Sequence, residues 1–319
     1  MEPVGFGIIG TGGLWSELHA RIFSVTPGIN LAGVADITEH KAVSFAQSYG
    51  TMYHTHYHSL LLDEMVKAVS IMTPPRTHAE VVLAAVEAGK DVLVEPPLAL
   101  TSAGCTTILE AAKKSQARVM VNFRNRWIRP LRQLRESLHK VGNVQYVALQ
   151  TSARIDVPTE KLTWADETTV EWFLGTHSVD TVCWMLDQAI NRVYTVDRLQ
   201  VLKTRNLDTS DYYQGIAQLD SGATVYLEDS WISPVSRSDL LEFSIKIVGD
   251  KDVLREHIQY PETVLDSIES FEADSVRKFI KCVIDHEETA IASEDALRAT
   301  MIVHSMEMSA ATGVPVQVG

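Results

Sequence analysis

The run Val4-Gly5-Phe6-Gly7-Ile8-Ile9-Gly10-Thr11-Gly12-Gly13 decides how the fold is read. A short apolar segment stops abruptly at a glycine-rich turn. Helical spacing follows from Leu14 to Val25, a second apolar run covers Leu31 to Ala35, and Asp36 stands at its end. That order is what a βαβ unit needs to hold a dinucleotide. Glycines let the backbone turn tightly and approach a pyrophosphate. The next helix offers free N–H groups to the anion, and the acid accepts from a ribose hydroxyl. Gly10, Thr11, Gly12, Gly13, Leu14 and Asp36 are therefore the expected cofactor-binding residues. The G-x-G-x-x-G pattern is broken by Trp15, at a position where close helix–strand packing usually asks for a small side chain. Its place after a strand pattern, with an acid at the expected distance, favours a dinucleotide turn over a plain one.

Working outward, strand and helix patterns alternate to about residue 125. Helices are expected over Thr38–Tyr49, Ser59–Met65, Thr77–Ala88 and Ser102–Ser115. Strands are expected over Ala68–Met72, Asp91–Val94 and Arg118–Phe123. Such alternation implies a parallel sheet with right-handed crossovers. Ligands then lie beyond the carboxyl ends of the strands, which gathers the glycine turn, Asp36, Thr73, Pro74, Glu95 and Asn122 in one neighbourhood, with His78 bordering it. Beyond this half, Val144–Ser152, Val193–Lys203, Tyr212–Leu219, Thr224–Trp231 and Leu241–Val248 read as strands of an antiparallel sheet. Glu269–Asp285 and Glu294–Thr312 read as closing helices. The fold class is α/β: a doubly wound Rossmann domain over residues 1–125, then an α/β domain with an open, mostly antiparallel sheet over residues 126–319.

The 319 residues carry a net charge of −13 with acids and bases interspersed. That argues against a nucleic-acid or anionic-membrane partner, since both call for a basic face. No apolar run approaches a membrane span, and the chain opens directly into a strand, so a cytoplasmic protein is expected. Cys105, Cys183 and Cys282 are widely spaced and form no C-x-x-C pair, which suggests reduced, buried thiols. His54, His56 and His58 alternate in a short polar stretch, but no carboxylate or cysteine nearby completes a ligand set, so no metal is assigned.

Five segments in order are similar to one family: GIIGTGG at 7–13, GVAD at 33–36, the run 73–100 ending in VEPPLAL, VNFRNRWIRP at 121–130, and WFLGTHSVDTVCWML at 172–186. Together they resemble the Gfo/Idh/MocA oxidoreductases, named for glucose–fructose oxidoreductase and inositol dehydrogenase, and residues 293–313 resemble the family's last helix and strand. The resemblance implies NAD or NADP as cofactor, hydride transfer at a hydroxylated carbon of a sugar, cyclitol or related polyol, and a homo-dimer or homo-tetramer. It also implies a substrate held between the domains. Two family positions differ. Pro97 stands where the family's Glu-Lys-Pro motif has its lysine, and Phe173 stands where an acid precedes the motif histidine. The glycine loop also looks one residue longer than the family norm.

On this footing the expected catalytic residues are His177 as proton acceptor, Asp180 one helical turn on to orient its ring or touch the substrate, and Glu95 on the nicotinamide side. Arg126, which matches a family arginine, is the first substrate-binding candidate. Lys161, Trp164 and Phe173 are placed near the substrate, together with His177. Asp36 favours NAD, because a carboxylate repels a 2′-phosphate, while His40 and Lys41 keep NADP as an alternative. The loss of the lysine and the acid also supports a competing reading, a dinucleotide-binding sensor or regulator with impaired turnover. A lyase or hydrolase using bound NAD for transient oxidation is a third reading, with no dedicated sequence feature.

Overall fold

The structure, a computed structural model, describes residues 3–289, 291 and 293–319. The chain divides into two compact units, Met1–Asn122 with Leu265–Leu297, and Phe123–Val264 with Arg298–Gly319.

The first unit begins with β1 (Val4–Ile9), α1 (Ser16–Val25), β2 (Ile29–Ala35), α2 (Glu39–Tyr49), β3 (Met52–His54) and α3 (Tyr57–Leu61). It continues through β4 (Val66–Ile71), α4 (Pro75–Glu87), β5 (Asp91–Val94), α5 (Ser102–Ser115) and β6 (Val119–Val121). The strands form one parallel sheet in the order β3-β2-β1-β4-β5-β6. Strand order reverses between β1 and β4, so the loops after Ile9 and Ile71 flank the crevice where doubly wound sheets take their ligands. Strand β1 is buried along nearly its whole length, which explains why it reads as a continuous apolar run and not as an alternation.

The second unit contains α6 (Arg129–Glu136), β7 (Val144–Arg154), α7 (Thr176–Leu186), β8 (Ile190–Arg198), β9 (Tyr212–Leu219), β10 (Thr224–Ser233), β11 (Asp239–Gly249) and β12 (Val253–Pro261). The chain then returns to the first unit as α8 (Phe271–Ile284). The chain ends with α9 (Ser293–Thr312), which belongs to the second unit from Arg298 onward, and with β13 (Val316–Gln317). The sheet order is β12-β11-β7-β10-β9-β8-β13, antiparallel except for the parallel pair β7 and β10. Along β10, Val225, Leu227, Asp229 and Trp231 are buried while Thr224, Tyr226, Glu228 and Ser230 are not. A carboxylate thus occupies an inward slot of an otherwise apolar face.

Three expectations change. The boundary at residues 125/126 is not how the fold divides, because residues 265–297 belong with the first unit. The cause is core packing on α8: the fully buried Phe6 ring meets Phe23 at 4.9 Å and Phe279 at 6.2 Å, and Trp15 meets Phe271 at 6.3 Å. Burying each such ring contributes about 1.5–3 kcal/mol. His54, His56 and His58 do not share a strand face, since β3 ends at His54 and His56 caps α3 by accepting from the His58 amide. Strand β12 was not anticipated, because its half-exposed edge position lets charged residues such as Arg255 and Glu256 interrupt the apolar pattern. Cys105, Cys183 and Cys282 are buried and form no disulfide among the described residues.

Candidate functional site

In the first unit the glycine turn is built by close approach. Gly10 has φ +91°, and a Cβ there would lie 2.8 Å from the Met72 carbonyl carbon; a Cβ on Gly13 would lie 2.9 Å from the Met72 Cβ. Only glycine fits both places, because β4 ends against the loop. Gly12 is different: within 4 Å its absent Cβ would meet only the Lys41 Nζ, at 3.4 Å. The loop therefore presents an open backbone face at Gly12, of the kind a pyrophosphate can approach. Helix α1 starts without a side-chain cap, and its Ser16 amide donates to the Gly13 carbonyl at 3.2 Å, so the glycine turn leads straight into the positive end of the helix.

Trp15 does not obstruct this turn. It is 2% exposed and packs beneath α8 on Phe271. The small residue that close packing requires is Ser16, fully buried, whose hydroxyl donates to the Gly10 carbonyl at 3.0 Å. The tight contact is thus made by Ser16, one position after the bulky Trp15. Leu14 is half-buried at the end of the loop.

Asp36 braces the same loop. Its Oδ2 accepts from the Thr11 amide at 2.9 Å and the Thr11 hydroxyl at 2.8 Å, and its Oδ1 accepts from the Thr38 amide at 2.8 Å. A carboxylate offers about four acceptor sites, so capacity remains for a ribose hydroxyl. Thr73 and Pro74 lie half-buried in the facing loop. His78, 1% exposed, spans two carbonyl oxygens: Nδ1 lies 2.6 Å from that of Pro97 and Nε2 2.8 Å from that of Thr73. Burial pushes its pKa down, while the two carbonyls pull it back up. Its place is that of a tie between the Thr73 loop and the Glu95-Pro96-Pro97 segment, whose last peptide bond is cis.

Asn122 is likewise committed. Its Nδ2 donates to Glu95 Oε1 at 2.6 Å and to Glu272 Oε1, and its Oδ1 accepts from the Ser275 hydroxyl at 2.5 Å. Both N–H groups and the carbonyl are used, so the structure places Asn122 as a support for the half-buried Glu95. Sequence reading had no means to pair it with Glu272, 150 positions away.

In the second unit, α7 carries His177 and Asp180, each 3% exposed. The His177 ring meets Phe123 edge-on at 6.3 Å, and its Nδ1 is buried without a hydrogen-bond partner. Burial first, and then the Arg124 charge, hold its pKa well below the usual histidine value. The imidazole is therefore neutral at physiological pH. Asp180 does not reach it. The carboxylate is taken by Arg126 in a two-point pair, Nε to Oδ2 at 2.9 Å and Nη2 to Oδ1 at 2.5 Å. Arg126 and Asp180 largely neutralise one another, which leaves less net charge for an anionic ligand than a lone arginine would.

Phe173 sits between aromatic rings, 6.2 Å from Trp164 and 5.9 Å from the buried Trp231. Lys161 pairs with Glu262 and lies 3.6 Å from Asp156, and Arg154 joins both acids. The Glu262 hydrogen bond raises the Lys161 pKa, so the group stays an ammonium and is a poor proton acceptor.

Sequence reading missed Glu171, in the π-helical turn Glu171–Gly175 that leads into α7. It is fully buried, and neither carboxyl oxygen has a hydrogen-bond partner. Burial, then Asp229, then Glu307 raise its pKa well above the carboxylate range. A signal existed: an acid inside the apolar run Val170–Leu174, and Asp229 in the inward phase of β10.

Residues 4–123 match an oxidoreductase family with an NAD-binding Rossmann fold, and residues 131–255 match the GFO/IDH/MocA C-terminal domain. Inositol 2-dehydrogenase of Salmonella typhimurium is 29% identical over 187 residues, 57% of this chain and 54% of that protein. Glucose-6-phosphate 3-dehydrogenase of Bacillus subtilis is 24% identical over 270 residues, 80% of this chain and 75% of that protein. The chain thus spans about half the length of the inositol dehydrogenases it matches. The crystal structure of scyllo-inositol dehydrogenase from Lactobacillus casei with bound NAD(H) and scyllo-inositol shares the fold, with a TM-score of 0.86, 16% identity and 99% of both chains covered.

Proposed function

Because the chain belongs to the Gfo/Idh/MocA oxidoreductase family, we propose that it is an NAD-dependent dehydrogenase acting on a hydroxylated carbon of a sugar or cyclitol. The observation that carries the chemistry is the neutral His177. An alcohol gives up its hydroxyl proton as hydride leaves the same carbon, and a neutral imidazole can accept that proton. With Nδ1 sealed away, Nε2 is the nitrogen for the task. When bound, NAD would supply the acceptor for that hydride.

The first unit supplies the cofactor contacts: the Gly10–Gly13 turn and Leu14 for the pyrophosphate, Asp36 for the ribose, and Thr73, Pro74 and Glu95 for the nicotinamide end. His78 and Asn122 hold those last segments in place. In the second unit Trp164 and Phe173 offer ring faces to a sugar, and Arg126 with Asp180 offers a polar edge. The inositol and glucose 6-phosphate dehydrogenases among the relatives support this substrate class. The protein acts as a homo-dimer or homo-tetramer, as the family pattern implies.

Asp36 makes NAD the preferred cofactor. Asp36→Asn is expected to raise the KM for NAD about tenfold, some 1.4 kcal/mol, and to narrow the preference over NADP. Steady-state rates with both cofactors measure this. Lys161→Gln is expected to change kcat by less than about tenfold, because an ammonium held by carboxylates supplies no general base. A larger loss would give Lys161 a catalytic role.

The test of the whole reading is NADH formation from NAD over a panel of cyclitols, hexoses and hexose phosphates. Turnover on a member of the panel is expected. Dinucleotide binding with no hydride exchange on any of them would overturn it in favour of a sensor, the role that Pro97 and Phe173 at family lysine and acid positions would suit.

A further inference from the structure

Three side chains with metal-ligating atoms converge inside the first unit, from segments far apart in sequence. His19 comes from α1, Glu95 from the end of β5, and Glu272 from the first turn of α8; their ligand atoms all lie within 4.8 Å of one another. His19 and Glu272 are fully buried, and Glu95 is half-buried. We propose that His19, Glu95 and Glu272 form a site for a divalent first-row cation of the zinc or manganese type.

The geometry suits such an ion. Ligand atoms held about 2.0–2.2 Å from a common ion sit roughly 3–4 Å apart. His19 Nε2 lies 3.1 Å from Glu272 Oε1, within that range. One imidazole with two carboxylates is a borderline-to-hard donor set, suited to Zn²⁺ or Mn²⁺ and not to the soft metals that prefer thiolates.

The surrounding groups are placed as outer ligands usually are. His19 Nδ1 lies 2.8 Å from the Ser70 hydroxyl, so donation from Nδ1–H fixes the ring and turns the Nε2 lone pair inward. The Asn122 amide donates to both carboxylates at once and is itself held by Ser275. An independent observation points the same way. Glu272 Oε2 is shut away from solvent and takes no hydrogen bond, while Oε1 accepts from the Asn122 amide and lies 3.1 Å from His19 Nε2. An ionised carboxylate with a bare oxygen in a dry interior is unfavourable unless a proton or a cation meets it. A cation would meet it and draw the two acids together. Its role would be structural, tying α8 to α1 and the sheet and steadying Glu95 through Asn122.

The test uses the full chain, incubated with Zn²⁺ or with Mn²⁺ and then desalted. Equimolar metal is expected in the protein, together with a higher Tm that EDTA reverses. Glu272→Gln, nearly isosteric, is expected to lose both the bound metal and the Tm response. Electron paramagnetic resonance of the Mn²⁺ protein is expected to show coupling to an imidazole nitrogen, which is read on the wild type and so does not depend on any variant folding. Substoichiometric metal with no Tm shift would overturn the proposal. So would binding that is equal in wild type and Glu272→Gln, or that lacks the nitrogen coupling. None of these readouts depends on dehydrogenase activity, so the site can fail while the proposed function stands, and the reverse.

Discussion

His177→Ala is expected to lower kcat for NADH formation by about 10²–10⁴-fold, the usual contribution of general acid–base assistance. The KM for NAD should move little, since the cofactor contacts come from the first unit. The pH profile separates this role from a merely structural one. The base must be neutral to accept a proton. Burial and the Arg124 charge depress its pKa, and the nearest acid on its own helix, Asp180, is engaged by Arg126. Wild-type oxidation should therefore hold its rate as pH falls through about 6.5, the ordinary histidine value, and decline only well below it. In His177→Ala that acidic decline should disappear. A wild-type decline centred above pH 7 would show that some other group takes the proton.

Glu171→Gln is expected to stabilise the protein at alkaline pH, by about 1–3 kcal/mol, the scale on which an unmet buried polar group is felt. In the folded chain the Glu171 carboxyl is fully buried, bare at both oxygens and close enough to feel Asp229 and Glu307, so its pKa is raised. In the unfolded chain it returns to about 4.3. The folded state thus binds a proton that the unfolded state releases. Stability from this group is complete below about pH 4.3 and is lost as pH rises towards the folded value. Glutamine cannot ionise. Urea unfolding of variant and wild type should nearly coincide at about pH 4 and separate at about pH 8, with the variant more stable. Equal destabilisation at both pH values would mean that Glu171 is held by its shape and not by its charge state. Asp229→Asn tests a different balance, because Asp229 Oδ1 accepts from the Ser178 hydroxyl at 2.6 Å and that bond would be disturbed.

The amino-acid sequence by itself determined what depends on neighbours along the chain. Strand β1, the glycine turn and α1 lie within 25 residues, and their apolar runs, periodicities and turn residues report local geometry directly. The same holds for the placement of His177 and Asp180 on one helix. What the tertiary structure alone decided is which partners the polar groups found. Asp180 went to Arg126, 54 positions away, and not to the histidine beside it. Lys161 went to Glu262, 101 positions away, which turned a candidate substrate contact into a paired cation. His19 met Glu272 across 253 positions, and no spacing rule in the sequence reaches that far. The reason is physical. Periodicity records which face of an element is buried, and that is a local property. The partner of a buried charge is settled only when distant segments close around it and each polar atom must find a donor, an acceptor or an ion.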